Sequence, residues 1–597
     1  MIFMKTLKRE EIDEKYKWKL EHIFKNLDEW EKAREKSQEL VEELNAKKDS
    51  IFDSPASLLS FLKLTDDFDL IFGKVASYAH LKGDENTKDS KPQELKQKLQ
   101  SIGRSYSVLY SVFKTSLLSL EEEKVESFFK EEKGLLFYKK FIDELFRSKP
   151  HTLSPEEEYI IAQASRLNSA GKTYNAFSNA DLVFPTVKDE NDEEVELTQS
   201  NYTKFMESRD RSVRENVFKE FFSVFKQYEN TLAATFSGSL EKDTFYSQIR
   251  KYNSSLEKSL FADNVPLDVY NNLIKTVENN VPLMEKYLEL RKKMLGVDEL
   301  HMYDLYTPLV DLNMEIPYEQ AFETVKKALA VFGDEYISEL EETYNGGWID
   351  VYPNNGKKPG AYKSGTYGVR PYILLNHKDN LNSMFTLCHE LGHSQHSVYS
   401  QANNPMLYAQ YSIFTAEVAS TVNEVLLMRY LLKNTNDKKM KQYLLTYFME
   451  QFKSTLFRQT MFASFEQITH EKAENGQPLT AEILSDIYYN LNKKYYGNAV
   501  VHDEEIAMEW SRIPHFYNAF YVYKYATGFS AAISLSKQIL EEGEPAVERY
   551  LNFLKSGGRD YPIELLKGAG VDMSTTQPIE DALEVFGGLI EELESLI

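Results

Sequence analysis

The chain has 597 residues, 42% hydrophobic and 27% charged, which is enough apolar material for a large core and more than one domain. A formal net charge of −23 opposes binding to nucleic acid or to anionic membrane surfaces. The single cysteine, Cys388, excludes an intrachain disulfide and fits a reducing compartment.

The opening stretch "MIFMKTLKREEIDEKYKWKLEHIF" carries charges too early for a signal-peptide apolar core. No run of about 18 apolar residues follows anywhere, so no membrane helix is expected and the expected location is cytoplasmic. Apolar residues at three- and four-residue steps predict amphipathic helices over Leu27–Lys48, Pro92–Leu120 and Val281–Leu295. Their polar faces alternate Glu and Lys, as solvated surfaces do. No fixed-period repeat is present, which argues against a solenoid. Between the first two helices and the third, Asp181–Gln199 alternates like a hairpin around an acidic turn. It divides the chain into an N-terminal helical region, 1–199, and a second region, 200–597. The Gly-, Pro- and Tyr-rich stretch Gly346–Asn376 predicts a small sheet and a mobile glycine loop, ending in the strand-like run "YILL", Tyr372 to Leu375. A substrate backbone could pair with that last strand.

The motif His-Glu-x-x-His follows at once, in "TLCHELGHSQHSVYS", Thr386 to Ser400. Met384, Cys388 and Leu391 recur at helical spacing, and Asn380 or Asn382 can cap the start. On a helix, His389 and His393 lie one turn apart and can reach one zinc ion at about 2.0–2.1 Å. Glu390 is offset by one residue, beside the ion's open position, where a carboxylate can take a proton from water. Gly392 costs about 1 kcal/mol inside a helix, so something is expected to pack closely against it. Cys388 points about 100° away from His389 and reads as an apolar filler rather than a catalytic thiol.

A catalytic zinc needs a third protein ligand. A metzincin would place Gly and then His three and six residues past His393. Those positions hold His396 and Tyr399, so that solution fails. One straight helix cannot bring His396 to the same tetrahedral ion as well, which leaves it a supporting role. The later helix "FTAEVASTVNEVLLMRYLL", Phe414 to Leu432, offers Glu417 and Glu424 on one face. One can bind the ion while the other accepts a hydrogen bond from a ligand histidine.

Together, "HELGHSQH", "FTAEVASTVNE" and "RIPHFYNAFYVYKYATG" (Arg512–Gly528) resemble oligoendopeptidase F, of the thimet oligopeptidase-like zinc metallopeptidases. "YKWKLEHIFKNLDEWEK" (Tyr16–Lys32) and "DVYPNNGKKPGAY" (Asp350–Tyr362) extend the resemblance over nearly the full length. The resemblance implies a mainly α, two-lobed protein with a deep central channel and a small β-sheet beside the zinc-binding helix. It implies a cytoplasmic endopeptidase with one zinc per chain, cutting internal bonds of short peptides by water that zinc activates. It assigns His389, His393 and Glu417 as zinc ligands, Glu390 as general base and Glu424 as the carboxylate behind a ligand histidine. The tract from His515 corresponds to the region that stabilises the oxyanion; the resemblance leaves open which of Tyr517, Tyr521, Tyr523 and Tyr525 faces the zinc, and His515, Tyr517 and Tyr521 are the expected donors. If this tract is helical after Pro514, Tyr517, Tyr521 and Tyr525 share one face, and Phe516, Phe520 and Tyr523 another. Two competing readings remain. A structural zinc site would favour cysteine and four protein ligands, and an exopeptidase would need a group that captures a peptide terminus.

Overall fold

Asn26 accepts a hydrogen bond from the Glu29 amide, and the first long helix begins at the next residue. In the computed structural model, which describes residues 7–164, 169–312 and 314–597, this helix is α1, Leu27–Lys47. It is followed by α2 (Pro55–Glu85) and α3 (Ser90–Leu118). Next come α4 (Glu229–Ile249), α5 (Ser255–Phe261), α6 (Leu267–Asn279) and α7 (Val281–Leu295). The helices of the motif region are α8 (Leu381–Asn403) and α9 (Ile413–Asn434). Further on, α10 spans Arg458–Glu474 and α11 Tyr523–Glu542. Further helices, mostly shorter, fill the chain between these, and the fold is mainly α.

Among the described residues the chain forms two compact units. One comprises Met1–Pro155, Met314–Leu427 and Val547–Asp560, and the other Glu156–Asn313, Met428–Ala546 and Tyr561–Ile597. In the first unit, Leu40, Val41 and Leu44 of α1 meet Leu58, Phe61 and Phe68 of α2 and Ile102, Leu109 and Phe113 of α3 in one buried cluster. A second cluster joins Trp18, Trp30, Val75 and Tyr78 to Trp348, Tyr372 and Leu374, so the helical layer is packed onto the sheet.

That sheet has three short strands, β3 (Ile349–Asp350), β4 (Tyr362–Ser364) and β5 (Tyr372–Leu374), in the order β3-β5-β4. β5 runs parallel to β3, with Ile349 opposite Ile373, and antiparallel to β4, with Tyr362 opposite Leu374. The "YILL" strand is therefore central. Its backbone is committed on both sides, so it cannot receive a substrate strand as its sequence suggested; β4 forms an edge instead. The glycine loop between β3 and β4 is anchored by Lys357, whose buried ammonium lies 2.6 Å from the Asp350 carboxylate and 2.8 Å from the Tyr352 carbonyl.

The second unit holds the hairpin β1 (Thr186–Lys188) and β2 (Glu194–Glu196), antiparallel with Val187 opposite Val195. Its core is aromatic around α10. The rings of Phe462 and Phe465 lie 5.3 and 4.9 Å from that of Phe516, and Phe236 lies 5.9 Å from Phe465.

Candidate metal centre

Asn380, rather than Asn382, caps α8, accepting from the Ser383 amide at 2.9 Å. The helix then carries His389 and His393 one turn apart, with ring centres separated by 4.7 Å. Gly392 sits between them where α9 crosses. A Cβ at this position would lie 2.6 Å from the Ser420 Cα and 2.9 Å from the Ala419 carbonyl oxygen, closer than packed atoms approach. The glycine is what lets the two helix backbones touch, and that contact brings the carboxylates of α9 up to the histidines of α8.

The result is a group of three. His389 Nε2 is 3.4 Å, and His393 Nε2 3.7 Å, from the same oxygen of Glu417. All three donor atoms lie within 4.8 Å of one another. A tetrahedral zinc with bonds of about 2.0–2.1 Å separates its ligand atoms by about 3.3–3.4 Å, so these residues fit the ion with little movement. The Glu417 side chain is 42% exposed, so the cluster is open on one side, as a catalytic metal site must be. Glu424 is not part of the triad. Its carboxylate accepts from His389 Nδ1 at 2.6 Å, which holds that ring with Nε2 facing the cluster.

Glu390 is buried, with one carboxylate oxygen, Oε2, that has no hydrogen-bond partner among the described residues. Burial, and secondarily the charge of Glu417, pushes its carboxyl up to about 7, although the neighbouring His389 works against this. Burial and the charge of His389 push His393 well below the usual imidazole range. Cys388 is fully buried, and burial raises its thiol well above the usual range, as a filler would be. His396 is buried beneath the Tyr411 ring, 3.6 Å between centres, and does not join the three donors.

In the second unit, the tract from Pro514 is not one helix. A single 3-10 turn, Pro514–Tyr517, is followed by a bend at Phe520, and α11 starts only at Tyr523. Tyr517 consequently does not share a helical face with Tyr521 and Tyr525. Its ring stacks on Tyr174 at 4.2 Å. His515, Tyr521 and Tyr525 group together instead, with ring centres 5.5–6.5 Å apart. Phe516, Phe520 and Tyr523, expected together on a second helical face, are all buried, although a bend rather than a helix achieves it.

The family model for peptidase family M3 matches residues 204–585, and that for oligopeptidase F matches residues 116–184. The chain is 46% identical over 591 residues to oligopeptidase PepF of Bacillus subtilis, covering 99% of this chain and 88% of that one. It is 39% identical to the group B oligopeptidase PepB of Streptococcus agalactiae, covering 99% of this chain and 98% of that one. The crystal structure of oligoendopeptidase-F from Enterococcus faecium superposes with a TM-score of 0.74 at 37% identity, over 95% of this chain and 99% of that one.

Proposed function

The chain belongs to peptidase family M3 and is a metalloendopeptidase; on that premise we propose that it uses one zinc ion per chain to cut internal bonds of short oligopeptides in the cytoplasm. The observation that carries the zinc reading is the meeting of His389 Nε2 and His393 Nε2 at 3.4 and 3.7 Å on one oxygen of Glu417, with Glu424 orienting the ring of His389. When bound there, zinc supplies a Lewis acid that polarises the scissile carbonyl and acidifies the attacking water.

The protein's own groups do the rest. His389, His393 and Glu417 would hold the ion. Glu390, one residue past His389 on the same helix and with Oε2 unengaged among the described residues, takes the proton from the attacking water and delivers it to the leaving amine. By the family resemblance, the developing oxyanion is assigned to donors from the His515 tract. His515 and Tyr521 are the donors supported by their grouping with Tyr525, and Tyr517, also expected there, is stacked on Tyr174 in a way that suits bracing. The substrate backbone is read by strand addition to the edge β4, Tyr362–Ser364. A cytoplasmic location is supported by the single, buried, free cysteine and by the absence, among the described residues, of any helix long and apolar enough to cross a membrane. The boundary at 199/200 is proposed as a division between family regions, supported by family models that end at residue 184 and restart at 204, although it falls inside the compact unit that holds Glu156–Asn313.

The test is digestion of peptides of about 6–20 residues blocked at both ends, with metal analysis of the same preparation. Internal cleavage by zinc-loaded protein, lost on chelation and restored by zinc, is expected. Cleavage only of peptides with a free terminus would make it an exopeptidase, and stoichiometric zinc with no cleavage would make the site structural.

A further inference from the structure

Phe520 has φ +56°, a left-handed conformation that a bulky side chain rarely adopts. No glycine stands here to take it without strain, so the surroundings must hold it. The peptide unit joining Ala519 to Phe520 is fastened at both ends. Ser259 Oγ, on α5, donates to the Ala519 carbonyl at 3.1 Å, and the Phe520 amide donates to Glu466 Oε1, on α10, at 2.8 Å. Because the peptide is planar, two bonds on its opposite ends fix its orientation. The Phe520 ring is itself pinned in the core, 4.3 Å from His470 and 5.7 Å from Tyr270.

We propose that Glu466 and Ser259 are positioning residues, clamping the Ala519–Phe520 peptide so that Tyr521 stays grouped with His515. The bend at Phe520 lies between these two residues. Released from the left-handed well, the chain would send Tyr521 away from His515, whose ring now lies parallel to it at 6.5 Å. Glu466 is otherwise hard to account for. Its side chain is completely buried, it has no basic partner within salt-bridge distance, and its Oε2 has no hydrogen-bond partner among the described residues. Burial raises its carboxyl well above the usual range, and glutamine has nearly the same shape. This role rests on the reading that the tract supplies the oxyanion donors.

The experiment compares Glu466→Met, Glu466→Gln and Ser259→Ala in the zinc-loaded enzyme, reading kcat and KM on a blocked peptide and hydrogen exchange of the fragment containing Phe520. Glu466→Met should lower kcat roughly 10–100-fold with KM within about twofold, since a donor displaced by an ångström loses most of its effect. Exchange at Phe520 should accelerate while zinc content is unchanged. Glu466→Gln, which keeps the acceptor, should restore both kcat and slow exchange. Ser259→Ala should act in the same sense but less strongly. A folded, metal-loaded Glu466→Met enzyme with wild-type kcat would overturn the proposal. If that variant does not fold, Ser259→Ala decides: reduced kcat at constant KM supports the clamp, and wild-type kcat rejects it. His515→Ala and Tyr521→Phe run in parallel separate the two failures. If they lower kcat and the clamp variants do not, only the clamp is wrong; if they leave kcat intact, the oxyanion reading fails and the positioning role falls with it.

Discussion

His389 and Glu424 meet at 2.6 Å through Nδ1, on the side of the ring away from Nε2, so one carboxylate of α9 orients the His389 ring while the other, Glu417, lies beside both Nε2 atoms. The two should fail differently. Glu417→Ala should abolish zinc retention, whereas Glu424→Ala should weaken zinc affinity about 10–100-fold, as loss of an orienting partner does. Chelator-competition titrations with metal analysis measure both. The reverse order would exchange the two roles.

Gly392 makes a prediction about helix spacing. Alanine has the higher helix propensity by about 1 kcal/mol, so a free-standing helix would gain from Gly392→Ala. Here the new methyl would have to displace the backbone of α9 at Ser420, because neither backbone can turn aside. The substitution should destabilise the protein by about 1–3 kcal/mol and lower zinc affinity by pushing Glu417 and Glu424 outward. Thermal melts of apo and zinc-loaded variant check this; unchanged stability and affinity would mean that the helices separate at no cost.

Asp304 should contribute to the acid limb of stability. Burial pushes its carboxyl up, but hydrogen bonds from Arg211 and Arg214 outweigh this and hold it below its ordinary value. Arg214 lies 2.7 Å and Arg211 2.9 Å from it. A carboxyl depressed in the folded state stabilises fully above its unfolded pKa of about 3.9, and the contribution is lost as pH falls through the folded value. Asp304→Asn should therefore cost about 3–5 kcal/mol at pH 7, because the buried Arg214 loses its counter-charge. The gap between wild-type and variant melting curves should narrow below about pH 4. A gap independent of pH would contradict the assignment.

The sequence disclosed some of this more readily than the rest, for physical reasons. Helices such as α1 and α7 were legible to within a residue because caps and periodicity are local. His389 and His393 were legible because metal chemistry restricts residue type and spacing, Glu417 rather than Glu424 only through the family resemblance, and Gly392 because its helical cost needed a reason. β5 read correctly as a strand but not as a central one, since a strand's neighbours are not written in its own residues. Tyr517 was placed on the wrong face because the left-handed turn falls on Phe520, a residue that gives no local sign of it. Glu466 in "SFEQITH" looks like any helix-surface charge, and only its complete burial sets it apart.

The most direct test of the proposed mechanism is Glu390→Gln. Glutamine keeps the shape and the burial of the side chain but cannot accept a proton, and it leaves His389, His393 and Glu417 in place. The variant should keep its melting temperature and bind one zinc per chain, while kcat on a blocked peptide falls by at least about 10³-fold with KM little changed. A zinc-loaded Glu390→Gln enzyme that hydrolyses the peptide at near wild-type rate would contradict the account.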